Sequence, residues 1–196
     1  MDGRKIVIVV AVLTLIFAGI FGGVFYWKNY HKTSANNQTN QSQNQSQKAV
    51  EQWALEAKAS SSYGGTGNGP FTPFQATGQP NVDKYGNNGN AWASKNPNDG
   101  TEWIELKYDK AVYASSVKIK ESSASGAVTQ IELIDTQGKN YIVWKDKDKT
   151  QGLNFLEISF PGTSYQTRKV KITLDTKLVK GWNQIDAVQL IGKETK

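Results

Sequence analysis

An all-β fold behind one membrane-spanning helix is the architecture this sequence predicts. Three observations lead there: an uncharged apolar run at 6–27, an Asn/Gln/Ser-rich stretch after it, and a remainder built of short alternating runs separated by turn residues.

The 22 residues from Ile6 to Trp27 carry no charge, and about 20 apolar residues suffice to span the hydrocarbon core as a helix. Fourteen of them are Ile, Val, Leu or Phe, which favours insertion by about 4–8 kcal/mol. Tyr26 and Trp27 stand where interfacial aromatics belong. No small-x-small cleavage pair lies between Phe17 and Trp27, so the segment is expected to stay as a signal-anchor. Residues 1–5, with Arg4 and Lys5, then form a cytoplasmic tail, although Lys28 and Lys32 flank the other side. The expected location is the cell membrane, single-pass, with the C-terminal domain extracellular. Gly19 and Gly23 make a G-x-x-x-G pair that fits a weak homodimer, and the general abundance of glycine in membrane helices accounts for it equally well.

Residues 28–50 read as a linker, because the tract SANNQTNQSQNQSQ at 34–47 has no apolar residue beyond Ala35 to offset the entropy of ordering. Asn37, Asn40 and Asn44 head N-x-S/T sequons, which so Asn- and Ser-rich a tract also produces by chance. Residues 51–193 are enough for one domain, with 194–196 as a tail.

Composition removes several function classes. There is no cysteine, so disulfides, thiolate metal sites and cysteine nucleophiles are excluded. The net charge of +6 is concentrated ahead of the domain in Arg4, Lys5, Lys28, Lys32 and Lys48, leaving the domain 18 basic against 16 acidic residues. No basic stripe remains, which argues against nucleic-acid binding. The single histidine, His31, lies beside the membrane segment, so the domain has no Ser-His nucleophilic pair and is expected not to be an enzyme.

Within the domain, strands are expected at 103–108, 116–121, 129–135, 141–145, 156–160, 168–174 and 185–191. Turn residues at Ser125-Gly126, Gln137-Gly138, Gln151-Gly152, Pro161-Gly162 and Gly181 separate most of them. Residues 49–59 alone carry a hint of helical periodicity, over too short a span to decide. This spacing of strands suits a sandwich or a barrel.

Several motifs then occur in a recognisable order: WALEAKASSSY from Trp53, FQATGQPNV from Phe74, AWAS from Ala91, EWIEL from Glu102, VYASSVKIKES from Val112, GAVTQIEL from Gly126 and GWNQIDAVQLIG from Gly181. Together they resemble the galactose-binding-like jelly roll of the discoidin type, in the variety found in bacterial surface proteins, F-box leucine-rich-repeat proteins and pappalysin-like proteases. The resemblance covers roughly residues 51–193 and implies an all-β jelly-roll β-sandwich. That fold hosts carbohydrate, lipid and protein binders, so function has to be argued from the site.

Continuing the alternation of Val117 and Ile119 places Glu121 inward, and counting back from Leu190 and Val188 does the same for Asp186. A buried carboxylate needs hydrogen bonds or a cation, so each either ties down a loop through backbone N–H groups or contacts a ligand or ion. Asn81, Asp83, Asn98 and Asp99, in the Asn/Asp/Gly-rich loop 81–100, could offer oxygens to a structural calcium ion, and turn preference explains the same composition without one. Trp92 beside Asn90 and Trp182 beside Asn183 are candidate sugar contacts, an indole face for stacking and an amide for hydroxyls, or else core plugs. Trp103 and Trp144 fall within strands and read as packing residues. The function expected from all this is a membrane-anchored, extracytoplasmic binding module for carbohydrate or another surface polymer. The alternative is a protein-interaction or structural subunit of a cell-envelope complex.

Overall fold

A computed structural model describes residues 49–196, so the tail, membrane-helix, sequon and homodimer readings for residues 1–48 lie outside the described residues. Among the described residues no helix is long and apolar enough to cross a membrane.

The chain order is β1 (Val50–Trp53), β2 (Glu56–Ala59), a 3-10 turn (Pro73–Ala76), β3 (Trp92–Ala93), β4 (Thr101–Ser123), β5 (Val128–Asp135), β6 (Asn140–Lys145), β7 (Asn154–Ser159), β8 (Thr167–Asp175) and β9 (Gln184–Lys193). Every pairing is antiparallel. One sheet runs β2, β4, β8, β5, β6. In the other, β1 and β3 share one edge of β9, which pairs with β4, which pairs with β7. The seven expected strands all fall on observed ones, but the first two are a single strand. β4 is 23 residues long, its N-terminal part in the first sheet and its C-terminal part in the second.

The corner of β4 explains how one strand serves two sheets. Up to Ala114 its buried residues are even-numbered (Ile104, Leu106, Tyr108, Val112, Ala114), and beyond it Val117, Ile119 and Glu121 are buried instead. A register shift between Ala114 and Ser116 inserts the extra residue that flips the inward face. Gln52 pins the bend at Lys110, accepting its N–H at 3.0 Å and donating to its carbonyl at 2.9 Å. The core between the sheets is aliphatic, with Val128, Ile131, Leu133, Val170, Ile172, Leu174, Ile185, Val188 and Leu190 joining the β4 residues. Burying each such side chain contributes about 1.5–3 kcal/mol. Gly192 marks the closest approach of β9 to β4, since a Cβ there would sit 2.5 Å from the Tyr113 carbonyl oxygen.

The segment 49–59 is two strands with no helix. Its Ala and Glu content suits a helix in isolation, but β1 pairs with β9 and β2 with β4, and sheet pairing overrides so short a local preference.

Candidate functional site

The loops at one end of the sandwich are tied to one another across long sequence separations. Gly86 N–H donates to the Ser122 carbonyl at 2.8 Å, and Thr176 N–H to the Gly100 carbonyl at 2.8 Å. Asn88 N–H donates to Gln184 Oε1 at 3.0 Å, Gly181 N–H to Asn98 Oδ1 at 3.0 Å, and Asn183 Nδ2 to the Ala124 carbonyl at 2.5 Å. The loops that lead into β3, β4, β5 and β9 therefore share one rim.

On this rim three rings meet. Tyr63 stands edge-on to Phe71, centroids 5.3 Å apart at 83°, and edge-on to Trp182, 5.5 Å apart at 74°. Such pairs contribute about 0.5–1.5 kcal/mol beyond their buried area. Tyr63 remains 58% exposed, so the cluster presents aromatic surface to solvent. Phe71 adopts φ 63°, a left-handed conformation that a bulky side chain rarely takes. Its N–H donates to Gly89, while its carbonyl accepts from Ala93 N–H and from Ser62 Oγ. That strain holds the ring at the rim, and strained backbone concentrates at functional sites. Tyr63, Phe71, Asn87, Ala93 and Trp182 enclose a cavity of about 40 Å³.

Asn87 reaches the cavity in one orientation. Its Oδ1 accepts from Nε2 of the buried Gln184 at 2.6 Å, which leaves the Nδ2 hydrogens as the amide's donors for another partner.

A separate, wider cleft of about 840 Å³ is lined by residues including Ser125, Gly126, Asp148, Thr150 and Leu178. Glu121 is buried behind it. Its Oε1 accepts Gly126 N–H at 3.2 Å, and its carboxyl lies within hydrogen-bonding reach of the Asp148 and Thr150 side chains. Burial, and then the neighbouring Asp148 carboxylate, push the Glu121 carboxyl up to about 8, so it keeps its proton at neutral pH. Asp148 accepts Val128 N–H at 3.4 Å and Thr150 N–H at 2.8 Å, so Glu121, Asp148 and Asn183 all grip the turn 124–128. Gly126 in that turn has φ 104°, which a side chain would strain.

Of the residues singled out by sequence, only Trp182 joins the rim as an aromatic. Trp92 has to be corrected: it is fully buried, its indole N–H donating to the Ser61 carbonyl at 3.1 Å, and it plugs the core where β3 meets β9. Asn183 is likewise structural, 2% exposed with its amide spent on the carbonyls of Ala124 and Val179. Asn90 is exposed and outside the cavity lining, its own N–H bonded to Asn88 Oδ1. Asp186 is a loop tie, buried, with Oδ1 accepting Asn81 N–H and Oδ2 accepting Val82 N–H, both at 3.2 Å; burial pushes its carboxyl up, and those two N–H groups and Lys120 oppose the shift.

Three of the calcium candidates are engaged in bonds of their own and the fourth is exposed. Asn98 Oδ1 accepts from Gly181, Asp99 Oδ2 from Asn96, and Asn81 presents its backbone to Asp186 while Asp83 is exposed. Among the described residues no group of three or more His, Asp or Glu is placed to hold a metal ion. Tyr63, Phe71 and Asn87 were missed by sequence reasoning. The signal available was aromatic residues set in a Gly-rich loop, SSSYGGTGNGPF, where nothing local needs them.

Two antiparallel sheets joined through β4 form a galactose-binding-like jelly roll. The chain belongs to the family described as PAPPA: Pappalysin-1, SD scarf domain, C-terminal, whose model matches residues 42–196. Truncated AlyQ with CBM32 and alginate lyase domains is similar in structure, with a TM-score of 0.53 at 18% identity over 76% of this chain and 34% of that one. A mutant of the lectin binding domain of Lectinolysin complexed with Lewis b gives 0.51 at 17% identity, covering 70% of this chain and 92% of that one. A Ruminococcus gnavus GH29 fucosidase in complex with fucose gives 0.50 at 18% identity, over 70% and 25%. This chain thus spans about a third of the AlyQ structure and a quarter of the fucosidase. At such identities the likeness is one of fold. No curated protein matches the chain in sequence.

Proposed function

We propose that this chain is a membrane-anchored, extracytoplasmic and non-catalytic module that binds carbohydrate or another surface polymer at the rim formed by Tyr63, Phe71 and Trp182. The observation that carries this reading is the exposed edge-to-face ring cluster beside a single oriented amide donor, Asn87. Aromatic faces stack on the apolar faces of sugar rings, and amides bond their hydroxyls. The similar structures include a lectin binding domain complexed with Lewis b and a fucosidase complexed with fucose, which supports a sugar as the ligand class. The 22-residue uncharged run and the polar tract after it support tethering to a membrane.

One or two stacking contacts give weak sites, and tethering compensates by raising effective concentration toward a polymer. Binding to an immobilised polysaccharide is therefore expected where binding of its monosaccharide is undetectable. Trp182→Ala should abolish it while leaving the thermal transition in place. If neither polymer nor oligosaccharide is retained by the native chain, the reading is wrong.

A protein-docking role draws on a different feature, the groove of about 650 Å³ along the open edge of β2, where Leu55 and Phe74 are exposed. A partner retained through Leu55 and Phe74 by a chain that binds no glycan would favour that role.

A further inference from the structure

We propose that the rim selects sugars bearing a 2-acetamido group, the cavity taking the acetyl methyl and Asn87 the acetyl carbonyl; this rests on the carbohydrate reading above and narrows it. The cavity of about 40 Å³ is far too small for a pyranose ring. It has room for about three waters, at roughly 10–15 Å³ each on the same measure, and so suits a methyl or acetyl group.

Its lining decides between groups of that size. Tyr63, Phe71, Trp182 and the buried Ala93 contribute the ring and methyl surface of a mixed lining, and Asn87 contributes an amide to it. A methyl can sit against the ring faces at no desolvation cost, whereas a hydroxyl there would have to find its partners in Asn87 or the unpaired indole N–H of Trp182. Asn87 then adds a direction. With Oδ1 held by Gln184, it offers Nδ2 hydrogens, which suit a carbonyl acceptor and cannot pair with an ammonium donor. Gln184 is itself fixed, 1% exposed with Oε1 accepting Asn88 N–H, so the donor's direction is set by the core. An acetamido group supplies a methyl and a carbonyl on adjacent atoms. A hydroxymethyl supplies neither, and a deacetylated amine supplies a cation.

The test uses the full chain in detergent, with calorimetric titration of tetramers of N-acetylglucosamine, of glucosamine and of glucose, and of N-acetylgalactosamine-bearing and fucose-bearing oligosaccharides. At least one acetamido ligand is expected to bind ten-fold or more tighter than the glucose and glucosamine tetramers. Asn87→Ala, and Asn87→Asp with its donor removed, should cut that preference below about two-fold while the melting curve stays cooperative. Equal binding of acetylated and non-acetylated ligands, or tightest binding of the fucose-bearing one, would overturn the acetamido assignment and leave the carbohydrate reading standing. Absence of binding by every ligand overturns both.

Discussion

Trp92 and Trp182 occupy look-alike settings in the sequence, each in a turn-rich segment beside an asparagine, and the fold uses them in opposite ways. Around Trp92 the polar groups are paired: its indole N–H meets the Ser61 carbonyl, and Asp186 meets the N–H groups of Asn81 and Val82. Around Trp182 they are not. Among the described residues the buried Ser122 Oγ, Trp182 Nε1 and Asn183 Oδ1 have no partner, all on the two segments that bound the rim, whereas the protonated Glu121 carboxyl has Asp148 to bond. Each orphan costs about 1–3 kcal/mol. The paired region is therefore built for stability, and the unpaired one carries an expense that folding alone does not require.

The strongest way to break this contrast is to truncate both tryptophans. Trp92→Ala removes a fully buried ring and its hydrogen bond, and should lower stability by about 3–5 kcal/mol in a denaturant titration. Trp182→Ala is expected to cost much less, since its ring is only partly buried and its N–H is already unpaired. Equal losses in the two variants would make Trp182 a second core plug and erase the distinction between the regions.

A smaller effect sharpens it through pH. The Glu121 carboxyl ionises at about 8 when folded against 4.5 for an ordinary glutamate, so between those values the folded chain holds a proton that the unfolded chain has released. Its contribution is full below about pH 4.5 and declines as pH rises, by at most about 5 kcal/mol across the window, before levelling off above pH 8. Asp148 is the acidic group facing it, and among the described residues no lysine or arginine forms a salt bridge with either. Glu121→Gln should flatten the pH profile of the melting temperature between 5 and 8. A native profile with no decline across that range would mean that Glu121 is ionised in the fold.

The same contrast explains what could be read from sequence. Strands β5 to β9 were legible because each alternates against one core, and the inward positions of Glu121 and Asp186 followed from that alternation. The continuity of β4 was not: the strands expected at 103–108 and 116–121 leave 109–115 between them, where Asp109 and Lys110 form the solvent side of a corner. Nor were β1 and β2, whose conformation is dictated by partners more than 40 residues away. At the rim, Trp182 stood out by residue type, while Tyr63, Phe71 and Asn87 lie in non-periodic loops. Their meeting depends on bonds such as Asn88 to Gln184 and Gly181 to Asn98, which no local pattern encodes.

The smallest effect tests the cost assigned to the unpaired region most directly. Ser122 is fully buried and its Oγ has no partner, so the hydroxyl loses its water on folding and gains nothing back. Its backbone carbonyl, by contrast, accepts Gly86 N–H and would be untouched by a side-chain change. Ser122→Ala deletes one orphan oxygen from the interior and leaves a void no larger than that atom. The lost contacts and the relieved desolvation oppose each other, and relief should win, giving a gain of about 0.5–1 kcal/mol in chemical denaturation. A control at a buried hydroxyl that is paired, Thr167→Ala, should go the other way, because Thr167 is equally buried and its Oγ1 donates to the Ile134 carbonyl at 2.6 Å. Loss of stability in both variants would show that Ser122 has a partner in the folded chain, most simply a buried water, and that the rim is less costly than its unpaired atoms imply.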